Sequence, residues 1–236
     1  QNLSTWNVSQ VTNMNSLFYN AQAFNGYISG WNTANVVDMA SLFSSTPFNS
    51  DISTWNTSSV TSMAGMFEGD VDFNQDISNW NTSSVTNMTS MFNNATSFNQ
   101  NINSWNVSQV SNMSSMFLGA ISFNQPLNNW NTASVTNMAS MFSGASVFNQ
   151  NLGSWNVESV TDLTDFLLGA NLSAVNYDGL LEGWAVQNVQ SGLAITVDTG
   201  IWCNASASRL DLATNHSWSF IDTGVTIGCP APTVTS

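Results

Sequence analysis

Positive charge is almost missing from this chain of 236 residues: there is no lysine, and Arg209 is the single arginine, against fourteen Asp and Glu, for a net charge of -13. Nucleic-acid binding needs clustered Lys and Arg to neutralise phosphates, so nucleic acid is excluded as a partner. An anionic membrane surface is disfavoured for the same reason. No apolar run approaches the roughly 18 residues of a membrane span, and no membrane insertion is expected. His216 is the one histidine. A hydrolase triad needs a base, and this one stands between Asn215 and Ser217 with no Gly-x-Ser-x-Gly elbow in the chain, so it reads as a solvent-facing loop residue. Two cysteines, Cys203 and Cys229, without nearby histidines make a poor zinc set, and a disulfide between them is expected. Such a bridge points to an oxidising, extracellular or cell-surface setting. No secretory signal is visible, and the first residue already falls inside a repeat, which reads as an excised piece of a longer polypeptide.

What is abundant is apolar and aromatic residues, 42% and 11% of the chain, at a fixed period. Trp6, Trp31, Trp55, Trp80, Trp105, Trp130 and Trp155 fall 25, 24, 25, 25, 25 and 25 residues apart. A unit this small cannot bury its own apolar side and must stack on its neighbours. Within the unit that starts at Phe73, the positions Val85, Met88, Met91, Phe92, Ala95 and Phe98 resemble one face of a helix of about three turns, with Ser83 or Ser84 at its start. Gln75 to Trp80 reads as a short strand. The expected fold is therefore an α/β solenoid of about seven strand-helix turns over residues 1–170, with a small α+β capping module over 171–229 and a linker over 230–236. Paired methionines such as Met88 and Met91 are soft metal ligands in principle, but their spacing beside Phe assigns them to the core.

Two asparagine ranks run through the repeats. Asn7, Asn32, Asn56, Asn81, Asn106, Asn131 and Asn156 are expected to form a buried structural ladder whose amides satisfy inward-facing backbone groups. Asn25, Asn49, Asn74, Asn99, Asn124 and Asn149 form the second rank. Asn7, Asn56, Asn81 and Asn106 also stand in glycosylation sequons, which a buried ladder would keep unmodified. The unit between Trp31 and Trp55 is one residue short, at Thr46-Pro47, and is expected to mark a bend or bulge.

The recurring pattern W-N-[VT]-x-x-V-[ST]-x-M-x-x-[ML]-F-x-x-A-x-x-F-N-Q resembles the repeat of BspA-type leucine-rich-repeat surface proteins over about residues 1 to 170. Residues 176 to 185, N-Y-D-G-L-L-E-G-W-A, resemble the cap that closes such arrays. The resemblance implies a leucine-rich-repeat-like, right-handed array in a secreted or surface-anchored protein associated with adhesion, and its motif carries no catalytic residues. Where many members have Asp after Trp and after Thr, Asn dominates here, with Asp38 and Asp162 at the second place.

In the cap, Tyr177, Leu180, Leu181 and Trp184 form a helical stripe with Ser173 or Asn176 as N-cap, followed by a strand over 193–197, a helix over 205–213 and a strand over 218–221. Asp51 and Asp76 occupy equivalent places on successive turns, and with Asp70 and Asp72 they outline a loose, weak calcium site; an EF-hand is rejected because Gln75 stands where Gly is required. No other cofactor is implied. The candidate binding face carries Ser4, Ser29, Ser53, Ser78, Asn103 and Asn128, small and neutral and interrupted by Tyr27. Thr12, Thr61, Thr86, Ser111, Thr136 and Thr161 form a candidate ice-binding rank, broken by Val37. These features together point to a non-enzymatic extracellular repeat domain for adhesion or display within a larger surface protein. Its partner would be an unidentified protein or glycan on another surface, or copies of itself. The alternatives are an ice-binding protein and a structural subunit that assembles end to end.

Overall fold

A computed structural model describes residues 3–225. Among the described residues are two α-helices and two β-strands: α1 (Ala174–Ala185), β1 (Ala194–Trp202), α2 (Ser206–Asn215) and β2 (Ser219–Val225). The expected seven strand-helix turns are thereby overturned, because residues 3–173 contain neither helix nor strand. That stretch is built of reverse turns that stack coil upon coil.

The physical reason lies in where the backbone N–H groups go. Between Met88 and Ala95, alternate residues close i to i−3 turns: Met91 N–H donates to Met88, Asn93 to Ser90 and Ala95 to Phe92. The residues between them donate to the next coil instead, Met88 to the carbonyl of Asn112, Ser90 to Ser114, Phe92 to Met116 and Asn94 to Leu118. A helix would need all of these N–H groups for itself. Ser90 and Asn94 also take positive φ, both at 56°, which ends any right-handed run. The equivalent residues of the other coils, such as Ser115 with Gly119 and Ser140 with Gly144, do the same. Gln75 to Trp80 is likewise a turn, with Trp80 N–H on the Ile77 carbonyl, and not a strand. The seryl side chains expected to cap helices stitch coils instead, as Ser84 Oγ does on the Ser58 carbonyl at 2.8 Å.

Turns of three residues turn every third side chain inward, and this creates the core. Val85, Met88, Met91, Phe92, Ala95 and Phe98 are all fully buried, as are the methionines at 113, 116, 138 and 141. Equivalent rings stack in register: Trp31 on Trp55 at 6.2 Å, Phe67 on Phe92 at 5.6 Å and Phe73 on Phe98 at 5.9 Å. Within the coils each buried indole is satisfied by a carbonyl one coil back, as Trp80 Nε1 is by Ile52 and Trp105 Nε1 by Ile77. Single parallel bridges join Asn13, Asp38, Ser62, Asn87, Asn112, Asn137 and Asp162 in succession. One continuous hydrophobic cluster runs from Val8 to Trp218.

The short coil keeps its ring geometry: Phe43 and Phe48 stack at 3.9 Å, against 3.7 Å for Phe67 and Phe73 in the full-length coil. The missing residue instead leaves Phe48 N–H without the carbonyl three residues back that serves Phe98 and Phe123. A carboxyl oxygen of Asp70, wholly buried in the next coil, accepts that N–H at 3.2 Å.

The end of the stack is closed by imitation. Trp184 of α1 donates its indole N–H to the Leu152 carbonyl, as Trp155 does to Leu127. Ser173 N–H and the Asn176 amide both reach Asn149 Oδ1, in the way the following coil would. Gly179 and Gly183 let α1 lie directly against the last coil; a Cβ on Gly179 would run into the Asn151 amide, and one on Gly183 into the Gly153 carbonyl. Behind α1, β1 and β2 pair in parallel through α2. Ser173 is the N-cap of α1, as its sequence indicates, and the stripe of Tyr177, Leu180, Leu181 and Trp184 is buried. Arg209, the sole arginine, lies inside this module: it forms a bidentate pair with Asp222 and lies over the Phe220 ring. Among the described residues no cysteine is free. Cys229 and the expected linker over 230–236 lie outside the described residues, so the expected pairing of Cys203 with Cys229 does too.

Candidate functional site

The surface ranks are set by the same turns. In four coils the residue before the inward turn is Asp or Asn, and its side-chain oxygen accepts from the N–H two residues on, whereas Tyr27 and Pro126 hold that place in two others. Asp51 does so from Ser53 at 2.8 Å, Asp76 from Ser78 at 2.9 Å and Asn101 from Asn103 at 3.0 Å. The backbone and hydroxyl of Ser53 and Ser78 hold the Asp51 and Asp76 carboxyls below the usual carboxylate range. A glycosidic general acid requires the opposite shift, so this pair is unsuited to that role.

The four carboxylates proposed for calcium do not come together. Asp70 points into the core, where burial pushes its pKa up to about 8 against the pull of the backbone donors of Asp72, Phe48 and Phe73. Asp51, Asp72 and Asp76 are on the exterior. Among the described residues no three of His, Cys, Asp and Glu gather in a way that could hold a metal ion.

The asparagine ladder is present, but in the other rank. Asn7, Asn32, Asn56, Asn81, Asn106, Asn131 and Asn156 each accept from a backbone N–H two residues on in their own coil, as Asn81 does from Ser83 at 3.1 Å. All but Asn156, which is half-buried, are exposed. The coil-to-coil ladder is the second rank: Asn25 Oδ1 accepts from Asn49 N–H, and so on through Asn74, Asn99, Asn124 and Asn149. The following Gln doubles each rung from the third coil on, as Gln100 and Gln150 do. That Gln beside the second rank was the one sequence signal that separates the two ranks. The sequons in the first rank are thus on the surface.

On the candidate binding face, Ser4, Ser29 and Asn128 are exposed, Ser53, Ser78 and Asn103 are half-buried, and Tyr27 projects outward at 70% exposure. Asn103 is cross-linked to the next coil, donating to Asn128 Oδ1 at 3.2 Å and accepting from Asn129 N–H at 3.0 Å. Beside these lies a shallow furrow of about 410 Å³ lined by Asp76, Ser78, Gln100, Asn101, Asn103, Ser104 and Asn129. It is a run of amides and hydroxyls with one carboxylate. Thr12, Thr61, Thr86, Ser111, Thr136 and Thr161 are all exposed on one line. From Thr61 onward each of these hydroxyls donates to the carbonyl one coil back, at 3.1 to 3.3 Å. Val37 interrupts the line. Among the described residues no helix is long and apolar enough to cross a membrane.

The fold and these faces define a repeat protein of stacked turns closed by a mixed α/β cap. The chain belongs to the family described as "Mycoplasma protein of unknown function, DUF285", whose pattern matches residues 1–84 and 67–184. No curated protein matches it, and no solved structure does.

Proposed function

We propose that this chain is a non-enzymatic extracellular repeat domain that serves adhesion or display, in the manner of BspA-type surface proteins, by contacting a glycan or protein on another surface. The observation that carries the reading is the amide furrow from Asp76 to Asn129, where fixed hydrogen-bonding groups recur coil after coil. Such a surface is matched by a neutral, hydroxyl-rich partner lying along the stack, and many weak contacts of this kind add up through multivalency. A bridge between Cys203 and Cys229 belongs to the same extracellular reading, and intact-mass measurement before and after reduction tests it. The domain should be displayed in multiple copies on beads and screened against glycans and matrix proteins, with Asn101→Ala and Asn103→Ala together as the control. Retention that the double substitution abolishes supports the reading; retention that ignores it, or a turnover activity that survives purification, overturns it.

The exposed Thr line supports ice binding as a second reading, tested by thermal hysteresis; none at high concentration removes it. End-to-end assembly has less support, because α1 occupies the face of the last coil that a second copy would need.

A further inference from the structure

The first asparagine rank, expected to be buried, lies on the surface, and this opens its amides to chemistry. On three consecutive coils Asn56, Asn81 and Asn106 are exposed. Each holds its Oδ1 on the N–H of the serine two residues on, Ser58, Ser83 and Ser108, at 3.0 to 3.1 Å. Among the described residues neither the Nδ2 of these asparagines nor the hydroxyl of these serines has a hydrogen-bond partner. The fold accounts for the asparagine but not for the serine. Asn32, Asn131 and Asn156 close the same turn on the N–H of Ala34, Ala133 and Glu158, so a hydroxyl at that place is no requirement of the coil. What the serines add is the Asn-x-Ser pattern of an N-glycosylation acceptor, with Thr57, Thr82 and Val107 between. The sequons Asn87-Met88-Thr89 and Asn112-Met113-Ser114, by contrast, lie in the strip of parallel bridges that joins coil to coil. Asn87 and Asn112 are half-buried there, and Asn87 Oδ1 already holds the Thr89 hydroxyl at 2.7 Å.

We propose that Asn56, Asn81 and Asn106 are attachment sites for N-linked oligosaccharide, while Asn87 and Asn112 stay bare. The donor class is a polyprenyl-pyrophosphate-linked oligosaccharide. The amide nitrogen attacks the anomeric carbon, and the new N–C bond forms as the bond from that carbon to the pyrophosphate oxygen breaks. The lipid pyrophosphate leaves, and Nδ2 gives up one of its two protons to a base of the transferase. Because the rank faces solvent, the folded chain carries the sugar without opening the stack, and a chain with 6% charged residues gains solubility from it. Equivalent residues of adjacent coils lie about 4.8 Å apart. Sugars on neighbouring rungs therefore crowd one another, and a molecule is expected to carry one or two of them. The proposal rests on the extracellular reading given above, because this transfer takes place outside the cytoplasm.

The test is made on the protein isolated from its own source. Release with peptide N-glycosidase in heavy-oxygen water leaves each formerly linked Asn as a labelled Asp. Peptide mapping is expected to find the label at Asn56, Asn81 and Asn106 and to find none at Asn87 or Asn112. Bare Asn56, Asn81 and Asn106 with a bridge between Cys203 and Cys229 overturn the proposal and leave the extracellular reading standing. Bare sites with both cysteines reduced overturn the two together. Label at Asn87 and Asn112 to the same extent as at Asn81 overturns the proposal as well, because burial would then select nothing.

Discussion

Asp70 offers the sharpest test of the packing argument, because one side chain carries both a repair and a cost. It stands where five other coils place Ala21, Ala95, Ala120, Ala145 and Ala170, wholly buried, and accepts from Phe48 N–H at 3.2 Å and Asp72 N–H at 3.3 Å. Burial lifts its pKa from 3.8 to about 8. A carboxyl whose folded pKa is raised stabilises the fold fully below its unfolded value and loses that stabilisation as pH rises toward the folded value. Between pH 4 and 8 the folded chain therefore holds one proton that the unfolded chain has released, and stability falls by about 1.4 kcal/mol per pH unit, on the order of 5 kcal/mol in all. Asp51 and Asp76, with lowered pKa values, act in the opposite sense, contributing above 3.8 and fading only at more acid pH.

Asp70→Asn mimics the protonated acid and cannot ionise. Urea unfolding of both proteins at pH 4.5, 6, 7.5 and 9 is expected to show near-equal stability at pH 4.5 and a widening gap in favour of the variant, levelling off above pH 8. Asp70→Ala, although it restores the common residue, is expected to lose about 1–3 kcal/mol for each N–H left without an acceptor. Inserting Gly after Thr46 gives the short coil its missing residue and should recover part of that loss, a coupling visible as non-additivity. Parallel stability curves for the wild type and the Asn variant from pH 5 to 8 would refute the account of Asp70 as a buried, protonated repair.

Three other outcomes are expected, two from denaturation and one from hydrogen exchange. Asn99→Ala removes the acceptor of both Asn124 N–H and Gln125 Nε2 and should cost about 2–4 kcal/mol, whereas Asn106→Ala, whose partner Ser108 N–H can reach water, should cost about 1 or less. Gly179→Ala should loosen α1 from the last coil, seen as faster hydrogen exchange in Trp184 and its neighbours with the middle coils unchanged. Arg209→Leu leaves the Asp222 carboxylate, 3% exposed, with only the Tyr177 hydroxyl, and should cost about 3–5 kcal/mol, confined to the cap.

The inward residues were legible from the repeat alone: Trp80, Val85, Met88, Met91, Phe92 and their equivalents are buried as their spacing indicates. The cap was legible too, because α1 and α2 use local hydrogen bonds that local residue choice reports. The type of structure within the coil was not. Val85, Met88, Met91, Ala95 and Phe98 are 3, 3, 4 and 3 apart, a spacing that averages closer to three than to the 3.6 of an α-helix, and the positions of Ser90 and Asn94 are filled elsewhere by Ser, Gly, Asn and Asp, residues that tolerate positive φ. Asp70 carried its own signal, an acid in an alanine rank directly after a one-residue deletion.

What separates a helical from a turn-built coil is the destination of four N–H groups, and in this chain that destination lies one repeat away. Met88 N–H reaches Asn112 only because a coil of nearly the same sequence follows at the right height. A single repeat, read by itself, keeps the helical option open, and the choice is made between neighbours. The same dependence holds further along the stack, where the carbonyls of Asp162, Thr164, Phe166 and Leu168 receive the N–H groups of Met138, Ser140, Phe142 and Gly144. A coil of this kind is held open by the coil laid on it.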